Sequence, residues 1–390
     1  MNLIELKSRI KNESEIYIYG FGLVGKWLSQ ELNQPVKAFI DSDYKKRGRE
    51  YNGIKVITNI DALAETTRSS VIIVSIIDVQ DVVDVIERIP HKQWVLVGEY
   101  LNDLELNVGT EESVDFLQYS IQAVRECHQG YLDKKNLFLR SIDFVITEKC
   151  SLKCKDCSNL MQYYEKPINI GQEELFRDLD DLLKRIGHIY EVRLIGGEPF
   201  MNREIYDIIE RLKLYAQISK IVIYTNLTIP INEEKISVLQ SEKIVISATD
   251  YGPLSRKTDA SRMLFDKFKI PYRIHPPENW TDSGLIHDNK RTREQNIELF
   301  EKCCGKNLLT VTDGKLYRCP FAANADRLKA IPEDSRNFVS TQASSEAIRR
   351  YTREIDMLPA CNYCNGRSFD APEIIPAIQT RSPLTFVQIN

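Results

Sequence analysis

The chain has 390 residues, 43% of them hydrophobic and 28% charged, a balance that suits a globular protein of two or three domains. A formal net charge of -4, without a concentrated block of Lys and Arg, gives no reason to expect nucleic acid as a partner. No apolar run approaches the roughly 18–20 residues that span a bilayer, and Met1–Lys7 holds no apolar signal-peptide core, so the expected setting is the cytoplasm with no membrane partner.

Residues 15–25, Glu-Ile-Tyr-Ile-Tyr-Gly-Phe-Gly-Leu-Val-Gly, read as a buried strand, a glycine turn and the start of a helix through Lys26–Leu32. Strands follow at Val36–Ile40, Val71–Ser75 and Trp94–Val97, with helical spacing over Asp81–Ile89. Strands alternating with helices predict a Rossmann-like parallel sheet of about four strands over residues 1–105. Residues 106–140 are expected to form a helical linker, with a helix over Val114–Cys127.

A second series opens at Ile142–Thr147 and continues through Val192–Ile195, Ile221–Thr225, Ile244–Ser247 and Tyr272–His275. Helical patterns fall between them, at Glu173–Ile186, Arg203–Leu214, Glu234–Leu239 and Asp259–Phe268. This predicts a partial TIM-like (βα)6 barrel over 141–299, with its chemistry at the C-terminal strand ends. Residues 300–390 form a loop-rich third domain, with a hairpin turning at Thr312–Lys315. The fold class is therefore α/β throughout its first two domains.

Eight of the nine cysteines fall into two groups, 150–157 and 303–364, which points to metal rather than to disulfides. Cys150, Cys154 and Cys157 have the spacing C-x3-C-x2-C directly after the first barrel strand. Three thiolates at this spacing can hold three irons of a cubane and leave the fourth open. Zinc is the alternative, since soft thiolates suit it too. Cys304 and Cys319 flank the hairpin as C-x9-G-x4-C around Gly314, and Cys361 and Cys364 follow as C-x2-C. These four can ligate one cubane or one zinc ion. Cys303 is the neighbour that could replace Cys304, and Cys127 reads as a core residue.

The triplet, its strand context and Gly196-Gly197-Glu198-Pro199 after the second barrel strand resemble the radical S-adenosylmethionine (radical SAM) superfamily. The resemblance implies a 4Fe-4S cluster on Cys150, Cys154 and Cys157. It also implies S-adenosylmethionine contacts from Gly196, Gly197, Glu198 and Pro199, from Asn226 in a T-N-L variant of T-N-G, and from Ser247. The implied reaction is reductive cleavage of S-adenosylmethionine to methionine and a 5′-deoxyadenosyl radical, which abstracts hydrogen from substrate. An electron donor such as flavodoxin or ferredoxin is the implied partner. The second cysteine group resembles a twitch domain, the shorter form of a SPASM domain, and implies one auxiliary 4Fe-4S cluster on Cys304, Cys319, Cys361 and Cys364. A single-cluster twitch resembles that of 2-deoxy-scyllo-inosamine dehydrogenase, so oxidation of a carbohydrate or nucleotide-sugar small molecule is the leading expectation. Peptide modification is the second reading, and a zinc-stabilised binding protein or a plain NAD-dependent dehydrogenase are further alternatives.

Gly20, Gly22 and Gly25 fit G-x-G-x-x-G after a strand, with Asp41 at the end of the next one. That arrangement suits a nucleotide or NAD, its phosphate on the helix N-terminus and its ribose on Asp41. The same turn also serves simple helix–strand packing, so both readings stand.

Overall fold

The computed structural model describes residues 3–10, 14–79, 93–102, 114–277, 280–368 and 371–386. The chain divides into two compact units, residues 1–140 and 141–390.

The first unit holds strands β1 (Glu15–Tyr19), β2 (Val36–Ile40), β3 (Glu50–Tyr51), β4 (Ile54–Ile57), β5 (Ser70–Val74) and β6 (Gln93–Leu96). They form one sheet in the order β3-β4-β2-β1-β5-β6, parallel except for β3. This exceeds the roughly four strands expected from sequence. The addition is the β3–β4 hairpin, turned by Asn52-Gly53 with φ 51° and 76°. Both faces of the sheet are covered, which is why β5 is buried along its whole length. Ile16, Ile18, Val71 and Ile73 face one core. Their neighbours Tyr17, Tyr19, Ile72 and Val74 face the other.

Helix α1 (Leu3–Arg9) packs Leu3 and Leu6, and α2 (Leu23–Glu31) packs Val24, Trp27 and Leu28, into the first core. Helix α3 (Asn59–Glu65) opens with a capping box between Thr58 and Asp61. Helix α4 (Val114–Leu132), expected within a linker, places Leu117, Ile121 and Val124 in the same core as α2. The helix expected at Asp81–Ile89 lies outside the described residues.

In the second unit β7 (Phe138–Thr147), β8 (His188–Gly196), β9 (Ile218–Thr225), β10 (Ile244–Thr249) and β11 (Tyr272–His275) lie side by side in chain order. Helices α5 (Gln172–Leu183), α6 (Ile205–Lys213) and α7 (Thr258–Phe268) separate them, with a 3-10 helix at Glu233–Leu239 between β9 and β10. This is the partial βα barrel that the hydrophobic pattern predicts. It brings the loops after β7, β8, β9 and β10 together at one rim.

Beyond β11 the chain adds β12 (Trp280–Thr281), α8 (Arg293–Lys302), β13 (Thr310–Thr312), β14 (Lys315–Tyr317), α9 (Pro320–Arg327), β15 (Phe338–Ser340), α10 (Ser345–Arg353) and β16 (Glu373–Ile374). The expected boundary at residue 299 falls inside α8, which Thr292 and Gln295 start with a capping box. The hairpin does not stand apart from the barrel. β13 pairs in parallel with β7, and β14 and β15 continue the same eight-stranded sheet.

Candidate cofactor and metal centre

Cys150, Cys154 and Cys157 occupy the loop after β7, and the Gly196–Pro199 turn after β8 is built onto that loop. The Gly197 N–H donates to Thr147 O at 2.9 Å, and the Glu198 N–H donates to Lys149 O at 2.8 Å. A Cβ on Gly197 would lie 2.0 Å from Lys149 O and 2.9 Å from Cys150 N. Gly196 has φ +129°, and a Cβ there would lie 2.1 Å from Thr147 O. Both glycines are thus required by close backbone approach to the cysteine loop.

Glu198 is fully buried, and its carboxylate is engaged by the protein itself. Oε1 accepts from Phe200 N–H at 3.2 Å and from Thr225 Oγ1 at 2.8 Å, while Oε2 accepts from Asn226 N–H at 2.8 Å. Burial pushes its pKa up to about 7 against the pull of those donors. The carboxylate therefore ties the ends of β8 and β9 together. Pro199 opens the short 3-10 turn that follows.

Asn226 reaches the cysteine loop directly. Its Nδ2 lies 3.7 Å from Cys150 Sγ and 3.4 Å from Ser151 Oγ. Leu227, where the resemblance expects glycine, keeps the left-handed backbone with φ 53° and is fully buried. Ser255 links the next strand end to this one, accepting from Tyr251 N–H at 2.8 Å and donating to Asn226 O at 2.7 Å. Ser247 sits half-buried on β10, in register with Tyr224 and Arg273. Tyr251 is a residue the sequence reading missed. Burial, then the nearby thiols of Cys154, Cys157 and Cys150, raise its phenol. Its ring meets Trp280 edge-on at 6.2 Å. The available signal was its place at a barrel strand's C-terminal end.

Burial pushes all three thiols of the triplet up, Cys154 to about 11, and Cys150 and Cys154 are raised further by Cys157. Thiols in this setting become ligands only when a cation compensates for the charge. Backbone N–H groups of Met161, Asn159 and Leu160 serve Cys157, which is the hydrogen-bonded sulfur environment of iron–sulfur sites. Among the described residues, no three or more His, Cys, Asp or Glu side chains meet as ligands of a single metal ion. A cubane takes one thiolate per iron instead. The donor set fits such a cluster.

In the second group Cys303 is coupled to the other thiols alongside the expected four cysteines. Burial raises the pKa values of Cys319, Cys361 and Cys364, and the nearby Cys303 raises them further. Burial raises Cys304, with Arg367 and its neighbour Cys303 as the charged groups nearby, and it is the most exposed of the five. The expected set names Cys304, with Cys303 as the neighbour that could replace it, and the electrostatic coupling of the other three thiols runs to Cys303. Adjacent side chains diverge at the end of α8, where Cys303 caps the helix and the Cys304 N–H turns to Arg367 O at 2.9 Å. Cys319 Sγ accepts from Ala322 N–H at 3.5 Å and Cys364 Sγ from Gly366 N–H at 3.2 Å. Arg291, which the sequence reading did not single out, holds the C-x2-C backbone by donating to Cys361 O at 2.9 Å and Cys364 O at 2.8 Å.

The two groups share supports. Arg327 on α9 pairs with Glu148 at 2.8 Å, two residues before Cys150; Glu148 is buried and the Arg327 side chain only 10% exposed. Burial raises both Cys157 and Cys304, and the Arg367 guanidinium pulls each back in part.

In the first unit, Gly20 has φ +115°, and a Cβ on Gly25 would lie 2.1 Å from Gly20 O. The fold itself requires these two glycines. Gly22 caps α2 and has open space around it. Asp41 accepts from Phe21 N–H at 3.1 Å, Asp43 N–H at 2.9 Å and Lys46 Nζ at 3.0 Å, so its carboxylate closes the turn.

Residues 144–249 match the profile of the Radical SAM superfamily. That segment is a radical SAM domain, and the superfamily implies a 4Fe-4S cluster and S-adenosylmethionine. The chain is similar to the GTP 3′,8-cyclase of Mannheimia succiniciproducens, 29% identical over 125 residues that cover 31% of this chain and 30% of the relative. The GTP 3′,8-cyclase of Clostridium acetobutylicum is 36% identical over 91 residues, 22% of this chain and 28% of that protein. The chain thus spans under a third of these two relatives. Among solved structures, anSMEcpe with bound AdoMet and Cp18Cys peptide is 17% identical, covering 56% of this chain and 80% of its own, with a TM-score of 0.39. BtrN in complex with AdoMet and 2-DOIA is 14% identical, covering 58% and 93%, with a TM-score of 0.38. No described helix is long and apolar enough to cross a membrane.

Proposed function

We propose that this chain is a radical SAM oxidoreductase that dehydrogenates a carbohydrate or nucleotide-sugar small molecule, drawing its electron from a flavodoxin- or ferredoxin-type donor. The carrying observation is the seating of the Gly197 backbone on Lys149 and Cys150, which joins the cofactor turn to the thiol triplet. When bound, the cluster and S-adenosylmethionine supply a 5′-deoxyadenosyl radical for hydrogen abstraction, and an auxiliary cluster accepts the remaining electron. Cys150, Cys154 and Cys157 hold the first cluster. Gly196, Gly197 and Pro199 shape the cofactor's seat, Glu198 fixes that seat, and Asn226 and Ser247 face it from the next strands.

Cys303, Cys319, Cys361 and Cys364 hold the auxiliary cluster. The curated relatives' name, GTP 3′,8-cyclase, refers to a nucleotide. Anaerobic reconstitution tests the reading. The expected result is about eight irons per chain, four per cubane, with 5′-deoxyadenosine formed under reductant. Ala at Cys150, Cys154 and Cys157 abolishes cleavage, whereas Ala at Cys361 and Cys364 spares one cluster. Tight zinc without iron or cleavage overturns the reading.

A nucleotide or NAD on the N-terminal turn is a second proposal. Gly22 favours it, because a side chain there would meet nothing within 4 Å, so packing does not require the glycine, and bare backbone at this helix start admits a phosphate. Isothermal titration with nucleotides, NAD and nucleotide sugars decides it. No heat with any of them leaves the turn a packing device.

A further inference from the structure

Residues 153–155 of the cysteine loop carry a partner 225 residues away along the chain. The Lys155 N–H donates to Ile378 O at 2.7 Å, and the Thr380 N–H donates to Lys153 O at 2.7 Å. Cys154 and Gln379 face one another in this short antiparallel ladder. The Gln379 side chain folds back over it. Oε1 accepts from Lys153 N–H at 2.7 Å, and Nε2 donates to Cys154 Sγ at 3.2 Å and to Ala377 O at 2.7 Å. Ala377 is buried with φ 57°, a backbone that a non-glycine residue adopts only where its surroundings hold it.

The three thiols of the triplet draw on different donors. Cys157 has local backbone N–H groups, and Cys150 has Asn226 at the longer distance of 3.7 Å. Cys154 has Gln379 at 3.2 Å. A donor on a ligating sulfur withdraws electron density and stabilises the reduced, more negative cluster. Because both ends of the Gln379 amide are engaged, the donor is held in place.

We propose that Gln379 is a positioning residue for the first cluster, fixing the Cys154 sulfur and raising the cluster's reduction potential through its N–H···S bond. The inference rests on the assignment of Cys150, Cys154 and Cys157 as cluster ligands. Two variants of the full chain separate its parts. Gln379→Ala removes the acceptor for Lys153 and the donor for Cys154. Gln379→Glu keeps the acceptor and removes the donor.

The readout is an EPR-monitored redox titration of reconstituted protein, with iron content measured alongside. Both variants are expected to lower the midpoint potential. The Gln379→Ala shift corresponds to about tenfold in the reduction equilibrium, about 59 mV for one electron. Gln379→Glu shifts further, because it adds negative charge. Loss of the first cluster from both variants, with the second retained, supports the positioning role in stronger form. Wild-type potentials in both variants overturn it. Wild-type protein without iron overturns the ligand assignment instead, so the two failures are distinguishable.

Discussion

Replacing Gly197 by Ala adds one carbon where no room exists. The new Cβ would lie 2.0 Å from Lys149 O, 2.4 Å from Lys149 C and 2.9 Å from Cys150 N. All three are backbone atoms, so no flexible side chain can move aside. The closest contact falls about 1.4 Å short of ordinary van der Waals distance, so the turn and the cysteine loop must separate by more than 1 Å. Separation strains or breaks the Gly197–Thr147 and Glu198–Lys149 hydrogen bonds, at about 1 kcal/mol each. Overpacking adds a further ~1–3 kcal/mol. The functional loss is larger, since a misplacement of about 1 Å costs roughly 100-fold in rate. The assay is 5′-deoxyadenosine formation under reductant, with iron content and urea unfolding measured in parallel. Gly171→Ala is the control, because nothing lies within 4 Å of its added carbon. Wild-type cleavage by Gly197→Ala refutes the idea that the turn is seated on the triplet.

Glu198→Gln places an amide NH2 where the carboxylate now accepts from two N–H groups and a hydroxyl. It should lower stability by ~1–3 kcal/mol and weaken S-adenosylmethionine binding, read by chemical denaturation and equilibrium dialysis. Arg327→Met leaves Glu148 buried without its partner, an expected loss of about 3–5 kcal/mol, and adding Glu148→Gln should restore much of it. Cys303→Ser should remove about four irons while Cys304→Ser retains them; the opposite result restores Cys304 to the ligand set. His128 is buried neutral in the first unit, accepting from Gly98 N–H at 3.0 Å and donating to Ile76 O at 2.7 Å, and burial lowers its pKa from 6.5 to about 4. The folded value is the lower one, so its contribution is fully present above pH 6.5 and is lost as the pH falls toward 4. It amounts to about 3 kcal/mol, and His128→Gln should flatten the first unit's stability across that window.

The barrel strands were legible because continuous apolar runs such as Ile-Val-Ile at 221–223 can only be buried strands in a βα series. The triplet and the Gly196–Pro199 turn were legible as local motifs. Their mutual seating was not, because it depends on a backbone contact between β7 and β8 loops. The Asn52-Gly53 hairpin was present in the sequence as a type I′ turn signal, but its strands are only two and four residues long, too short for a hydrophobic pattern. Cys303 and Cys304 are adjacent, and the nine-residue spacing to Gly314 favours Cys304; that Cys303 ends the helix as its C-cap is set by the fold and not by spacing. Gln379, Arg291 and Arg327 act through contacts 70 or more residues distant, and no periodicity points to such pairs.

The ladder between residues 153–155 and 378–380 also imposes an order in time. Translation at about 5–20 residues per second separates Cys154 from Gln379 by 225 positions, an interval of at least about 10 s. During that interval the cysteine loop exists without the strand that later covers its middle thiol. The cysteine loop and the strand that closes over Cys154 are thus made well apart in time, and the ladder between them can form only after the later one.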